Sequence, residues 1–199
     1  MDEQQVFEHL RESGAMLEGH FELSSGNHSE RYFQCALLLQ DPRRAEELAN
    51  ALAFRLHDEV SAVVGPALGA VVWAHEVARA LGCRGMFTER VDGVMTLRRG
   101  FTFGPGEKTL VVEDVVTTGG SIRECIEACS ERGADVVGVG VVLDRSGGNP
   151  FADLELPLTS LAEIDAVVWK PEDCPLCLEG GQAVKPGSRP GGPPSDDSP

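Results

Sequence analysis

Residues 111–121 read VVEDVVTTGGS: an apolar run, two adjacent acids, two valines, then two threonines, two glycines and a serine. Glu113 and Asp114 offer only acceptors, suited to vicinal hydroxyls that donate to them. Thr117, Thr118, Gly119, Gly120 and Ser121 offer hydroxyls and unhindered backbone N–H groups where a helix begins, and there the helix dipole favours an anion. A ligand that satisfies both halves carries a diol and a phosphate about one sugar length apart. Ribose 5-phosphate does so. The stretch lacks the Gly-Lys-Ser/Thr ending of a P-loop and the G-x-G-x-x-G of a dinucleotide fold. Taken singly, the acids merely end a strand and the glycines merely start a helix; their order in one short segment is what points to a sugar phosphate.

Those residues need a frame, and the flanking sequence supplies one. TLVVEDVV reads as a buried strand with the acids at its carboxyl end, followed by a helix from Gly120 to about Arg132 and a second apolar strand in ADVVGVGVVLDR. Upstream, AVVG is a short strand, PALGA a small-residue loop, and VVWAHEVARAL a helix with Val72, His75, Val77 and Leu81 among its inward positions. RGMFTE is a further strand, leading into a Gly-rich excursion up to Gly106 that is too polar to pack as core. Continuous apolar strands alternating with helices predict an α/β fold, a central parallel sheet flanked by helices, with ligands gathering beyond the strands' carboxyl ends. At the N-terminus, EQQVFEHLRES has helical spacing, and GHFELSSGNHSERYFQCALLL reads as two short strands around a Ser-Gly-Asn turn. Asp41-Pro42 then opens a helix running to about His57.

The whole chain limits the function classes. Its 199 residues, 42% hydrophobic with 23 glycines, suit one domain with a full core. A formal net charge of −15 opposes nucleic-acid binding. Nowhere is there an apolar run of about 18 residues, and the acidic N-terminus is no signal peptide, so a cytoplasmic protein without a membrane span is expected, its six cysteines reduced. Domain limits are expected at 1–183, with a small N-terminal hood over about 15–40, a core over about 41–150 and a C-terminal segment over 151–183. VKPGSRPGGPPSDDSP, from 184 to 199, reads as a disordered tail.

VVEDVVTTGGS resembles the phosphoribosyl-diphosphate signature of the type I phosphoribosyltransferases. FELSSGNHSERYF, GPALGA and VVLDRSGG are similar to the hood, the pyrophosphate loop and the Leu-Asp-Arg strand end of the orotate phosphoribosyltransferase family, and CPLCLEGGQAVKPGSR to the tail of a bacterial branch typified by thermophile sequences. The resemblance implies the type I fold and transfer of a 5-phosphoribosyl group from phosphoribosyl diphosphate to orotate. It implies that Glu113 and Asp114 hold the ribose hydroxyls, that Val115 to Ser121 wrap the 5-phosphate through Val116, Thr117, Thr118, Gly119 and Gly120, and that Thr117 and Arg145 meet orotate, with Asp144 orienting Arg145. Mg²⁺ is implied as the cofactor, riding on substrate oxygens, and a homodimer with shared active sites as the assembly. The chain departs from the pattern at three cations: TERVDGVMTLRRG has no lysine or histidine, and Ser24 and Gly69 stand where lysine is common. Arg90, Arg98 and Arg99 are the available replacements, Arg90 and Arg99 being assigned to the diphosphate. A purine phosphoribosyltransferase and a non-catalytic phosphoribosyl-diphosphate sensor are the alternatives; the first has no need of Arg145, and the second needs a nucleic-acid-binding surface the acidic chain lacks.

Other reactive side chains have plainer readings. Cys125 and Cys129 complete a core stripe with Ile122 and Ile126. Cys174 and Cys177 supply only two of the four ligands of a structural zinc, and none of the five histidines is near them in sequence, so a pair without metal is the plainer reading and two symmetry-related pairs in a dimer the favoured route to a zinc site. Four of the histidines read as surface or core residues, and His28 as a hood residue within reach of base or phosphate.

Overall fold

A computed structural model describes residues 1–23, 26–164 and 167–186. Helix α1 (Glu3–Glu12) begins with a capping box, the Asp2 carboxylate accepting from the Gln5 N–H and the Gln5 side chain accepting from the Asp2 N–H, and it buries Val6 and Leu10, one turn apart. Strands β1 (Met16–Glu22) and β2 (His28–Phe33) form an antiparallel hairpin, the expected hood. Cys35–Leu39 is not strand, as the sequence reading had it, but a short helix, α2, because Cys35, Leu38 and Leu39 fall on one helical face and are buried together. Helix α3 (Pro42–Arg55) starts at Asp41, whose side chain accepts from the Arg43 N–H, with proline in the first turn.

The core sheet has the order β5-β4-β3-β6-β7-β8, made by β3 (Ala62–Pro66), β4 (Arg84–Val91), β5 (Val94–Leu97), β6 (Glu107–Val116), β7 (Ala134–Asp144) and β8 (Leu158–Glu163). All pairings are parallel except the β4–β5 hairpin. Side chains alternate between two buried layers. Val63, Leu110 and Val112 pack toward α1, α2, α3 and helix α4 (Val71–Leu81), while Val64 and Val111 pack under helix α5 (Gly120–Ser130). Burial on both faces is why these strands read as unbroken apolar runs. The Ile122, Cys125, Ile126 and Cys129 stripe of α5 is buried as its spacing predicts.

Four expectations need correction. Helix α4 buries Trp73, Ala74, Val77 and Ala78, whereas Val72 and His75 are exposed, the inward face being rotated toward the tryptophan. The excursion after Arg90 is not a loose loop: Val91 turns through Asp92 and Gly93 into β5, and Met95 and Leu97 are buried, because period-two alternation survives inside a polar-looking segment. The hood is larger than residues 15–40, since β9 (Val168–Trp169) pairs with β2 as a third strand. Finally, residues 184–186 are not free tail. Val184 bridges to Phe21, donating to the His20 carbonyl at 2.8 Å and accepting from the Glu22 N–H at 2.8 Å, and Lys185 pairs with Glu22. The rest of the expected tail, 187–199, lies outside the described residues, as does Ser24.

Candidate active site

The carboxyl ends of β3, β6 and β7 form one edge of the sheet. Parallel pairing of Val116 with Asp144, together with a 2.9 Å hydrogen bond from the Arg145 N–H to the Val116 carbonyl, sets Arg145 beside Thr117. The predicted ribose, phosphate and base residues are thereby brought to a single rim.

Glu113 is buried and Asp114 half-buried. Glu113 Oε2 accepts from the Ser121 hydroxyl at 3.3 Å, and Asp114 Oδ1 from the Val115 N–H at 2.7 Å. Among the described residues neither forms an ion pair. Burial, and then the neighbouring Asp114 charge, push the Glu113 carboxyl well above its usual range, and burial raises Asp114 as well, against the pull of its backbone hydrogen bonds. Two acids crowded at an apolar strand end are short of donors, and hydroxyl groups of a ligand would supply them. Gly69 of the β3–α4 loop faces the pair, since a Cβ added there would lie 3.7 Å from both carboxylates, and the same loop contains a cis Ala67–Leu68 peptide.

After β6 the chain turns through exposed Thr117 and Thr118 into Gly119, at φ +75°, and then α5, whose N-terminus no side chain caps. Gly119 is constrained twice, because a Cβ there would also come within 2.8 Å of the Phe151 ring. The uncapped N–H groups of this eleven-residue helix leave anion donors at the rim.

Arg145 is half-buried, its guanidinium 5.1 Å from the Phe33 ring centre, with Nε buried and lacking a partner among the described residues. Burial lowers its pKa. Asp144 does not orient it: Asp144 Oδ1 instead accepts from the Ser146 N–H at 2.7 Å and the Ser146 hydroxyl at 2.6 Å, shaping the turn that follows. A narrow cleft between β2 and the end of β7 is lined by Ser29, Arg31, Phe33, Arg145 and Ile164. The sequence reading missed two residues of β2 and α2 that feel the charge of Asp114. Tyr32 and Cys35 both sit close enough to Asp114 for its charge to raise their pKa values, after the larger effect of burial. Their proximity to Asp114 spans about 80 positions of sequence, so no local spacing points to it.

The arginines assigned to the diphosphate are engaged elsewhere. Arg90 Nη1 is 2.6 Å from Glu124 Oε2 of α5 and donates to the Gly93 carbonyl at 2.8 Å, while Arg99, at φ +60°, makes a two-pronged pair with Glu89, each arm 3.0 Å long. Arg98 also approaches Glu89, at 3.6 Å. These pairs are exposed, so each contributes little to stability and can be exchanged for a phosphate. Cys174 and Cys177 lie beside His20 and His28, with all four ligating atoms within 4.8 Å of one another.

A phosphoribosyl transferase domain model matches residues 38–171. An orotate phosphoribosyltransferase of Pelotomaculum thermopropionicum is 55% identical over 181 residues, spanning 90% of this chain and 94% of that one. Another, from Thermotoga maritima, is 54% identical over 185 residues, spanning 92% and 98%. Among solved structures, the orotate phosphoribosyltransferase of Aeropyrum pernix superposes with a TM-score of 0.69 at 30% identity, covering 80% of this chain and 93% of that chain.

Proposed function

The chain belongs to the phosphoribosyl transferase family, as an orotate phosphoribosyltransferase, and from that premise we propose how the sheet edge carries out the transfer from phosphoribosyl diphosphate to orotate. Glu113 and Asp114 accept from the two ribose hydroxyls, and the segment from Val115 to Ser121 receives the 5-phosphate on the N-terminus of α5. Arg145, with Thr117 beside it, receives the orotate carboxylate. A planar guanidinium is shaped for that task.

The base nitrogen displaces diphosphate at C1 of the ribose, so positive charge grows on the sugar ring while negative charge grows on the leaving group. Asp114 offsets the first charge, and Arg90 or Arg99 offsets the second after release from Glu124 or Glu89. Orotate's acidic ring nitrogen needs no protein general base. Hard carboxylate oxygens without a cation partner among the described residues fit the implied Mg²⁺, which Glu113 and Asp114 would help to hold and which would supply charge neutralisation to the diphosphate. Tyr32 and Cys35 of the hood exclude water from the reacting sugar. The same reading makes the enzyme a cytoplasmic homodimer.

The observation that carries these assignments is Arg145: a half-buried guanidinium with no acid partner among the described residues, next to Thr117 at the rim that also holds the acids. A purine base would leave it unpaired. The test is diphosphate release with Mg²⁺ across a panel of bases, for the wild type and Arg145→Ala. Orotate alone should support fast release, and the variant should raise the KM for orotate while leaving that for phosphoribosyl diphosphate unchanged. Turnover with a purine, or an unaltered orotate KM, would overturn the base assignment.

A further inference from the structure

Four soft or borderline ligands converge away from the sheet edge. His28 faces Glu22 across the β1–β2 hairpin, and His20, two residues before Glu22 on β1, shares that face despite a bulge between Glu18 and Phe21. Against them lies helix α6 (Pro175–Leu178), with Cys174 at its N-cap and Cys177 as its third residue. His20 Nε2 is 2.9 Å from His28 Nδ1, 3.5 Å from Cys174 Sγ and 3.6 Å from Cys177 Sγ, and Cys177 Sγ is 3.3 Å from His28 Nδ1. A tetrahedral Zn²⁺, with bonds of about 2.0–2.1 Å to nitrogen and about 2.3 Å to sulfur, spaces its ligand atoms about 3.3–3.8 Å apart. Four of the six edges, at 2.9–3.6 Å, are therefore within about half an ångström of that geometry, and all four ligand atoms lie within 4.8 Å of one another.

Hydrogen bonding alone does not account for it. Three polar atoms, His28 Nδ1 and both sulfurs, approach the one Nε2 of His20, and an imidazole nitrogen has either one proton or one lone pair to give. Two of the three contacts go unsatisfied in any tautomer, in a place where Cys174 and His28 are buried. A cation at the centre satisfies all four atoms at once. Two thiolates and two imidazoles select zinc over the oxygen-seeking Mg²⁺. The chain also closes tightly over the cluster after α6: a Cβ on Gly181 would lie 3.3 Å from His20 Nδ1 and 2.9 Å from the Leu176 carbonyl oxygen.

We propose that His20, His28, Cys174 and Cys177 bind one structural Zn²⁺ within a single chain and so fasten the C-terminal segment to the hood. This replaces the reading in which two subunits each lend a cysteine pair. The ion would lock residues more than 140 positions apart in sequence, holding β9 and the Val184 bridge on the hairpin whose Tyr32 feels the Asp114 charge and whose Phe33 ring lies 5.1 Å from the Arg145 guanidinium.

The test uses the full-length protein, purified without a metal column or polyhistidine tag, with zinc measured per chain by mass spectrometry of the elements. About one zinc per chain is expected, lost in the Cys174→Ser/Cys177→Ser double variant, whose thermal midpoint should fall toward that of chelator-treated wild type. Cobalt in place of zinc should give the intense visible bands of a tetrahedral site with thiolate charge transfer. His28→Cys should keep the metal and strengthen the charge-transfer band, which a purely packed cluster would not do. Because wild-type metal content is itself decisive, failure of the double variant to fold does not spoil the test. No zinc after reconstitution under reducing conditions overturns the proposal. So does half the expected amount, which means a site shared between chains, or a Cys174–Cys177 disulfide in protein isolated with reductant.

Discussion

Glu113 and Asp114 are held in a state that suits a ligand better than it suits the free protein. Both carboxyls have folded pKa values above their ordinary ones, so between the two values the folded state binds more protons than the unfolded state, and stability falls as pH rises through that window. Removing one charge should relieve this. Glu113→Gln is expected to raise the thermal midpoint of the ligand-free enzyme near neutral pH, with the advantage shrinking toward about pH 4, where the unfolded carboxylate is also protonated. Melting curves of variant and wild type across pH check the sign. Asp114→Asn should likewise remain folded yet lose turnover about 10²–10³-fold, the usual cost of deleting one preorganised electrostatic contact, with steady-state rates and circular dichroism as the paired readout. Arg145 makes the opposite case, a cation awaiting an acid. Arg145→Lys keeps the charge but loses the fork, and should weaken kcat/KM for orotate by about tenfold or more, equivalent to about 1.5–3 kcal/mol for hydrogen bonds to a charged group. The residue types of this rim were legible from VVEDVVTTGGS and VVLDR, but their state was not. Asp144 is next to Arg145 in sequence and still bonds Ser146, since its Oδ1 is taken by the N–H and hydroxyl of the turn that follows β7.

Elements whose burial pattern is complete in the sequence were legible, and those whose partners lie elsewhere were not. Strand β6 and helix α5 carry their own signals, an apolar run and an i, i+3, i+4, i+7 stripe, and the folded chain has them where they were expected. The inward face of α4 is not the one its valines suggest, because Trp73, Ala74, Val77 and Ala78 are buried and small residues lie over Gly65, where an added Cβ would be 2.7 Å from Ala70 Cβ and 3.2 Å from Ala74 Cβ. Strand β4 was legible in RGMFTE, but β5 was not, because charged residues dominate a segment in which Met95 and Leu97 turn inward. The β6–α5 junction itself is a tight element. Gly119→Ala forces a side chain onto a left-handed backbone, at about 1–2 kcal/mol, and drives its methyl into Phe151, at about 1–3 kcal/mol more. The variant should lose several degrees in thermal midpoint and bind phosphoribosyl diphosphate more weakly. Gly148→Ala, whose Cβ meets open space, should change neither. Calorimetry and ligand titration of the two proteins separate strain at the cradle from a general glycine effect.

At the scale of the whole molecule, sequence distance is what hid the remaining features. The hood and the C-terminal segment share a sheet and a four-ligand cluster, yet His20 and Cys174 are 154 residues apart, so no local spacing brings them together; the histidines flanking one hairpin turn were the only signal. The arginines proposed for the diphosphate pose the reverse question, whether residues close in sequence serve the same subunit's site. Arg90 and Arg99 are anchored to Glu124 and Glu89 of their own chain, on exposed pairs that a polyanion could displace. If the β4–β5 hairpin then reaches across a two-fold dimer, each site contains one chain's Asp114 and the other chain's Arg90. An Asp114→Asn protein and an Arg90→Ala protein, each nearly inactive alone, should complement after mixing and subunit exchange. Half of the dimers would be mixed and each would hold one intact site, giving about a quarter of wild-type activity per chain. Glu124→Gln in the Asp114→Asn partner should raise the recovered rate, because it frees the Arg90 that acts in trans. Exchange demonstrated by labelled subunits without any recovery, for Arg90 and for Arg99 alike, would mean that the hairpin closes over its own chain's diphosphate.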